Sequence, residues 1–101
     1  MAIALQLLTA SDFRSHVGKE FQIQFSGQNT GIAYLEKVID LPAYESLERK
    51  PFSILLQTVQ NNRQYQQGIY KIEHPALGTM DIFLVPVAIN EKGLQYEAVF
   101  S

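Results

Sequence analysis

Residues 68–100 read GIYKIEHPALGTMDIFLVPVAINEKGLQYEAVF, and the fold turns on how this stretch pairs with itself. Three strand-like segments, 68–73, 82–89 and 94–100, are separated by turn chemistry at Glu73-His74-Pro75-Ala76-Leu77-Gly78 and at Asn90-Glu91-Lys92-Gly93. Setting Tyr70 opposite Ile82 and Ile72 opposite Met80 gathers apolar side chains on one side. It also sets Lys71 against Asp81 on the other side, a favourable cross-strand pair. Setting Ala88 opposite Leu94 then places Pro86 against Tyr96, Leu84 against Ala98 and Ile82 against Phe100. Both pairings put Ile82 and Leu84 on the same inner face, and a one-residue slip in either would turn them to solvent. Pro86 has no N–H for a ladder, so it marks an edge or a bulge. A bulge there would bend the strand and help a sheet close into a barrel. Phe83, Val85 and Val87 lie on the opposite face, so this strand is apolar on both sides. The second side requires a cover: a short helix, the connection around Tyr44 and Leu47, or a partner.

Working outward, residues 52–59 form a strongly apolar strand. The stretch 57–67, QTVQNNRQYQQ, is rich in Gln and Asn, and Asn61-Asn62 reads as a polar turn. Farther back, Phe21, Ile23 and Phe25 alternate with Gln22, Gln24 and Ser26, the period of a half-buried strand. Ser26-Gly27-Gln28-Asn29 is turn chemistry, residues 32–39 make the next strand, and 41–50 is a connection containing Pro42, with Tyr44 and Leu47 as core anchors. One helix is signalled near the start. Thr9 caps it, and Asp12, three residues on, completes a short form of the capping box. Phe13 and Val17 share a face, and Gly18 stops the helix, which spans about two turns and needs tertiary packing to persist. The expectation is a single mainly β domain over 1–101: a small antiparallel barrel of about six strands with one short N-terminal helix, a two-sheet sandwich being the other closure open to such strands.

Composition narrows function mostly by exclusion. Of the chain's residues 47% are hydrophobic and 18% charged, a globular balance far from that of a disordered chain. The absence of cysteine removes disulfides, thiolate nucleophiles, zinc–thiolate sites and iron–sulfur clusters. The net charge is −2 and the longest basic run is Arg49-Lys50, so nothing favours nucleic acid, which needs a basic face. No apolar run approaches the ~20 residues that span a bilayer. The apolar start, residues 1–8, lacks the basic flank of a signal peptide and is shorter than one. The expectation is a cytoplasmic protein that engages neither nucleic acid nor membrane.

Catalytic chemistry finds no constellation. Histidine metal sites usually take three ligands, and the chain has His16 and His74 alone. His16, near the end of the helix, reads as a cation at a helix C-terminus or a solvated side chain. His74 could form an acid–base pair with Glu73, but strand neighbours point to opposite faces, so a structural role is expected. Pro75 holds His74 extended, Leu77 folds back as an apolar plug, and Gly78 supplies the positive φ needed to enter the next strand. Glu97 reads as outer-face charge near Lys71 or Asp81. Gly68, Gly78 and Gly93 stand singly at strand starts and turns, where positive φ is wanted, and no Gly-x-Ser-x-Gly elbow is present. Phe21, Phe25, Phe52, Tyr70, Tyr96 and Phe100 fall at inward positions and are read as core. Tyr34, Tyr44 and Tyr65 are less well placed. The expected catalytic, metal and cofactor residues are therefore none.

The motifs Phe52-Ser53-Ile54-Leu55, Gln67-Gly68-Ile69-Tyr70, Glu73-His74-Pro75-Ala76-Leu77-Gly78, Phe83-Leu84-Val85-Pro86-Val87 and Tyr96-Glu97-Ala98-Val99-Phe100 occur in that order. Together they resemble a family of small bacterial domains of unknown function. Residues 9–25 follow such proteins' Leu-Thr-x-x-x-Phe start more loosely, and 28–50 match in length alone. The resemblance implies an accessory or structural role in a phage-tail-like assembly. The leading expectation is a non-catalytic structural or protein-binding module that meets a protein partner, or a second copy of itself, through an apolar sheet face. The alternative is a ligand-binding or enzymatic barrel with a site around Glu73, His74 and Glu97.

Overall fold

Thr9 starts the first element as the sequence requires. Its hydroxyl accepts the Asp12 N–H, and the Asp12 carboxylate accepts the Thr9 N–H at 2.8 Å. This is the full capping box, opening α1 (Ala10–Arg14). The computed structural model describes residues 8–25, 30–42, 51–59 and 66–100. The 26–29 and Asn61-Asn62 turns, the connection with Tyr44 and Leu47, and Tyr65 lie outside the described residues.

The helix is shorter than the pattern predicts. Ser15 caps its C-terminus, so Val17, expected on the face of Phe13, lies beyond the helix and is 45% exposed. Gly18, at φ +85°, redirects the chain. Its N–H donates to the Leu35 carbonyl, and the Leu35 N–H donates to the Lys19 carbonyl. These two bonds tie the segment after α1 to the second strand.

Six strands follow: β1 (Glu20–Gln24), β2 (Thr30–Asp40), β3 (Phe52–Thr58), β4 (Gly68–His74), β5 (Gly78–Asn90) and β6 (Gly93–Phe100). They close into an antiparallel barrel in the order β1-β2-β3-β6-β5-β4. The barrel is thus two three-stranded meanders joined edge to edge. One seam is long, from Phe52 opposite Phe100 to Gln57 opposite Gln95. The other is short, with Gln22, Ile23 and Gln24 opposite Glu73, Ile72 and Lys71. Both seams are hydrogen-bonded, so the closure is a barrel and not a sandwich.

The C-terminal pairing follows the expected register through most of its length. Tyr70 faces Ile82, Lys71 faces Asp81, Ile72 faces Met80 and Pro86 faces Tyr96. Beyond Pro86 the register departs from expectation. Ala88 faces Gln95 and Ile89 faces Leu94, with the shift between Pro86 and Ala88. The cause is the bulge anticipated at Pro86: an extra residue, Val87, has no partner, and every later pairing moves by one. The turn is correspondingly tighter. Asn90 pairs with Gly93, and the Asn90 side-chain oxygen accepts the N–H groups of Lys92 and Gly93. A second bulge, between Leu35 and Lys37, bends β2.

The interior is continuous. Ile23, Leu35, Ile54, Leu56, Ile72, Leu84 and Tyr96 are buried within it. Phe21, Phe25, Phe52 and Phe100 are buried as expected, and Tyr70 packs against the core half-buried. Phe13 of α1 meets Phe52 and Phe100 at 5.7 and 5.3 Å between ring centroids. The helix therefore plugs one end of the barrel and is not the cover for β5. Gly78 and Gly93 take positive φ, whereas Gly68, expected to do so, does not. It is an ordinary residue of β4, where a Cβ would meet the Tyr70 ring at 3.7 Å.

Candidate functional site

Strand periodicity decides the fate of the Glu73, His74 and Glu97 trio. Glu73 and His74 are successive residues of β4, so one points out and the other in. Glu73 is exposed, opposite Thr79 and Gln22, while His74 is buried. Glu97 sits on β6, opposite Val85 and Leu55, with β5 between it and β4. The three side chains do not converge. Lys71 pairs with Asp81 at 3.5 Å, both well exposed, which is worth at most about 1 kcal/mol. Among the described residues no group of three or more His, Cys, Asp or Glu is placed to hold a metal ion.

With its carboxylate in solvent, Glu73→Gln is expected to shift stability by less than about 1 kcal/mol. The midpoint of urea unfolding measures this. A larger loss would mean that Glu73 holds a buried partner.

His74 occupies a different site, one that the sequence does not display. Its Nδ1 accepts the Ala76 N–H at 3.0 Å, which places the neutral ring's proton on Nε2. One side of the ring lies 4.6 Å from Phe21, and His16 stands 4.3 Å away. The sequence predicts His16 to be a helix-terminal cation or a solvated side chain. Because α1 ends early, Arg14 is the basic residue of its last turn, and His16 turns, half-buried, onto His74. Burial, and secondarily the charge of His16, hold the His74 pKa below its ordinary 6.5. The signal for His16 is not local. It depends on a helical plug and the β4–β5 turn meeting at the same end of the barrel. The turn itself is as expected: Leu77 is buried and Gly78 has φ +81°.

The outer face of the β4–β5–β6 meander is the other distinctive surface. Ile69 and Phe83 are direct cross-strand partners on it, 71% and 51% exposed. Val99 on β6 is 60% exposed and Val87 at the bulge 49%. Among the described residues, nothing covers the second apolar side of β5.

No curated protein and no solved structure is matched by the chain. The model of a family described as a domain of unknown function, DUF6916, matches residues 8–100. The motifs of the C-terminal meander and the Leu8-Thr9 start both fall inside that span, and the chain belongs to this family.

Proposed function

We propose that this domain is a non-catalytic protein-binding module that docks on another protein through the outer face of β4, β5 and β6. One observation carries the reading: the paired Ile69 and Phe83 are largely exposed on the outside of a barrel whose buried apolar side chains form one continuous core. Exposed apolar side chains gathered on one face mark interaction surfaces, whereas scattered ones do not. Aromatic residues supply much of the energy in such contacts. Val99 and Val87 extend the surface. The separation of Glu73, His74 and Glu97 removes support from an enzymatic site. The sequence resemblance adds the finer reading, an accessory or structural role in a phage-tail-like assembly.

A photo-crosslinking residue at Phe83, introduced in the native host, is expected to capture one partner reproducibly. The same residue at Lys37, on β2, is expected to capture none. The purified partner should then bind the wild-type domain, and Ile69→Ser with Phe83→Ser should weaken that binding at least tenfold while the far-ultraviolet spectrum stays unchanged. Equal capture from both positions, self-association through Phe83 without a second protein, or unaltered affinity of the double variant would overturn the proposal.

A further inference from the structure

We propose that His16, His74 and Phe21 form an acid-sensitive latch that holds the β4–β5 turn against the α1 end of the barrel. This inference is independent of the docking face. It begins with the hydrogen bond from the Ala76 N–H to His74 Nδ1, at 3.0 Å. That bond exists only while Nδ1 carries a lone pair. A proton bound there turns the acceptor into a donor and sets two N–H groups against each other. The ring then also carries a positive charge in a buried position, 4.3 Å from a second imidazole.

Among the described residues, the surroundings offer that charge little compensation. From the segment after α1, the group facing His74 is His16, which adds repulsion when protonated. From β1 it is Phe21, which is neutral. Lys19 and Glu20 next to it are exposed, as is Glu73 on β4. The turn contributes Pro75, Ala76 and Leu77, and the start of β5 contributes Gly78 and Thr79, all uncharged. On α1 itself, Arg14 is paired with Asp40 at 2.6 Å and Asp12 is engaged by Thr9. None of these carboxylates contacts the ring, so none of them neutralises the proton where it binds, and the hydrogen bond to the Ala76 N–H is lost.

The two sides of the latch are unequally anchored. The α1 side is tied to β2 by the Arg14–Asp40 pair and by the bonds of Gly18 and Leu35. On the turn side the ladder ends at the His74–Gly78 pair, and beyond it residues 75–77 are held by the His74 ring and by the buried Leu77. Protonation therefore releases the turn while the helix stays docked. The sign of the pH dependence follows. The folded state binds this proton less readily than the unfolded chain, whose histidine titrates near 6.5. The latch's contribution is complete above that value, declines as pH falls below it, and is lost once pH has passed through the folded-state pKa.

Histidine ring resonances and amide hydrogen exchange, followed by NMR from pH 7.5 to 4.5, test this. His74 should titrate below 6.5, and the Ala76 amide, corrected for its intrinsic rate, should lose at least tenfold in protection with the same midpoint. Core amides such as Leu56 should keep theirs. His16→Gln, which removes the neighbouring charge, should move both midpoints to higher pH. His74→Asn, whose side-chain oxygen can replace Nδ1 as a non-titrating acceptor, should keep Ala76 protected at pH 5. Three results would overturn the latch: protection at Ala76 that does not follow the His74 titration, loss of protection by Ala76 and Leu56 together, or midpoints unmoved in His16→Gln. The wild-type and His16→Gln measurements decide the matter even if His74→Asn does not fold.

Discussion

Phe13→Ala is expected to cost the domain about 3–5 kcal/mol, the range for removing a fully buried phenylalanine. The ring is completely buried and belongs to a three-ring cluster. Phe52 and Phe100, partners across the β3–β6 seam, are stacked at 4.8 Å, and Phe13 sits against both. The helix that presents it has five residues, too few to be stable alone. Removing the ring therefore empties the barrel end and detaches the plug that makes the helix form. Two measurements separate these effects. The midpoint of chemical unfolding should fall with little change in slope, and the amides of α1 should exchange faster than those of the strands. Phe13→Leu, which keeps most of the volume, should cost under about 1.5 kcal/mol. A loss below about 1 kcal/mol for Phe13→Ala would show that the helix only rests on the barrel.

What the sequence displays of this fold is what short-range chemistry and period-2 alternation can carry. The register from Tyr70–Ile82 to Ile72–Met80 is legible because a slip would expose Ile72 and Ile82, both buried. The capping box is legible because its two side chains are three residues apart. The end of α1 is not, since Val17 repeats the helical spacing while the bonds of Gly18 and Lys19 to the distant Leu35 draw the chain away. Pro86 signals the bulge, but not its consequence for Ala88 and Ile89. An unpaired residue moves every later pairing while leaving the apolar pattern nearly as plausible.

The candidate site divides along the same line. That Glu73 and His74 diverge follows from strand geometry, and that Leu77 plugs the barrel end follows from the turn. The meeting of His16 with His74 requires knowing that a helix near the start and a turn near residue 76 share one barrel end. Alternation shows which face a residue takes, but not which distant residue it meets there. The exposed side of β5 is an intermediate case. Phe83, Val85 and Val87 announce a second apolar face, and the closed barrel leaves it outside.

Gly93→Ala is expected to destabilise the domain by roughly 2–5 kcal/mol, the sum of backbone strain and disturbed buried hydrogen bonds. Gly93 follows the tight β5–β6 turn with φ +149°, a conformation that L side chains rarely adopt. A Cβ there would also lie 2.8 Å from both the carbonyl oxygen and the hydroxyl of Thr58. Those two atoms are already committed. The Thr58 hydroxyl donates to the Leu94 carbonyl and accepts the Leu94 N–H, at 2.8 and 2.9 Å. The Thr58 carbonyl accepts from the Gln57 amide, which in turn pairs with Asn90. A methyl group at position 93 therefore pushes on the clamp that fixes the end of β3 to the start of β6, and Thr58 is too buried to yield. Gly18→Ala is the matched comparison. Gly18 also has positive φ, at +85°, but a Cβ there would meet nothing within 4 Å. It should show strain alone, about 1–2 kcal/mol. Urea unfolding of the two variants side by side tests the clamp. Similar losses would mean that the Thr58 contacts yield easily, whereas a clearly larger loss at Gly93 locates the rigidity of this corner in the hydrogen bonds of Thr58.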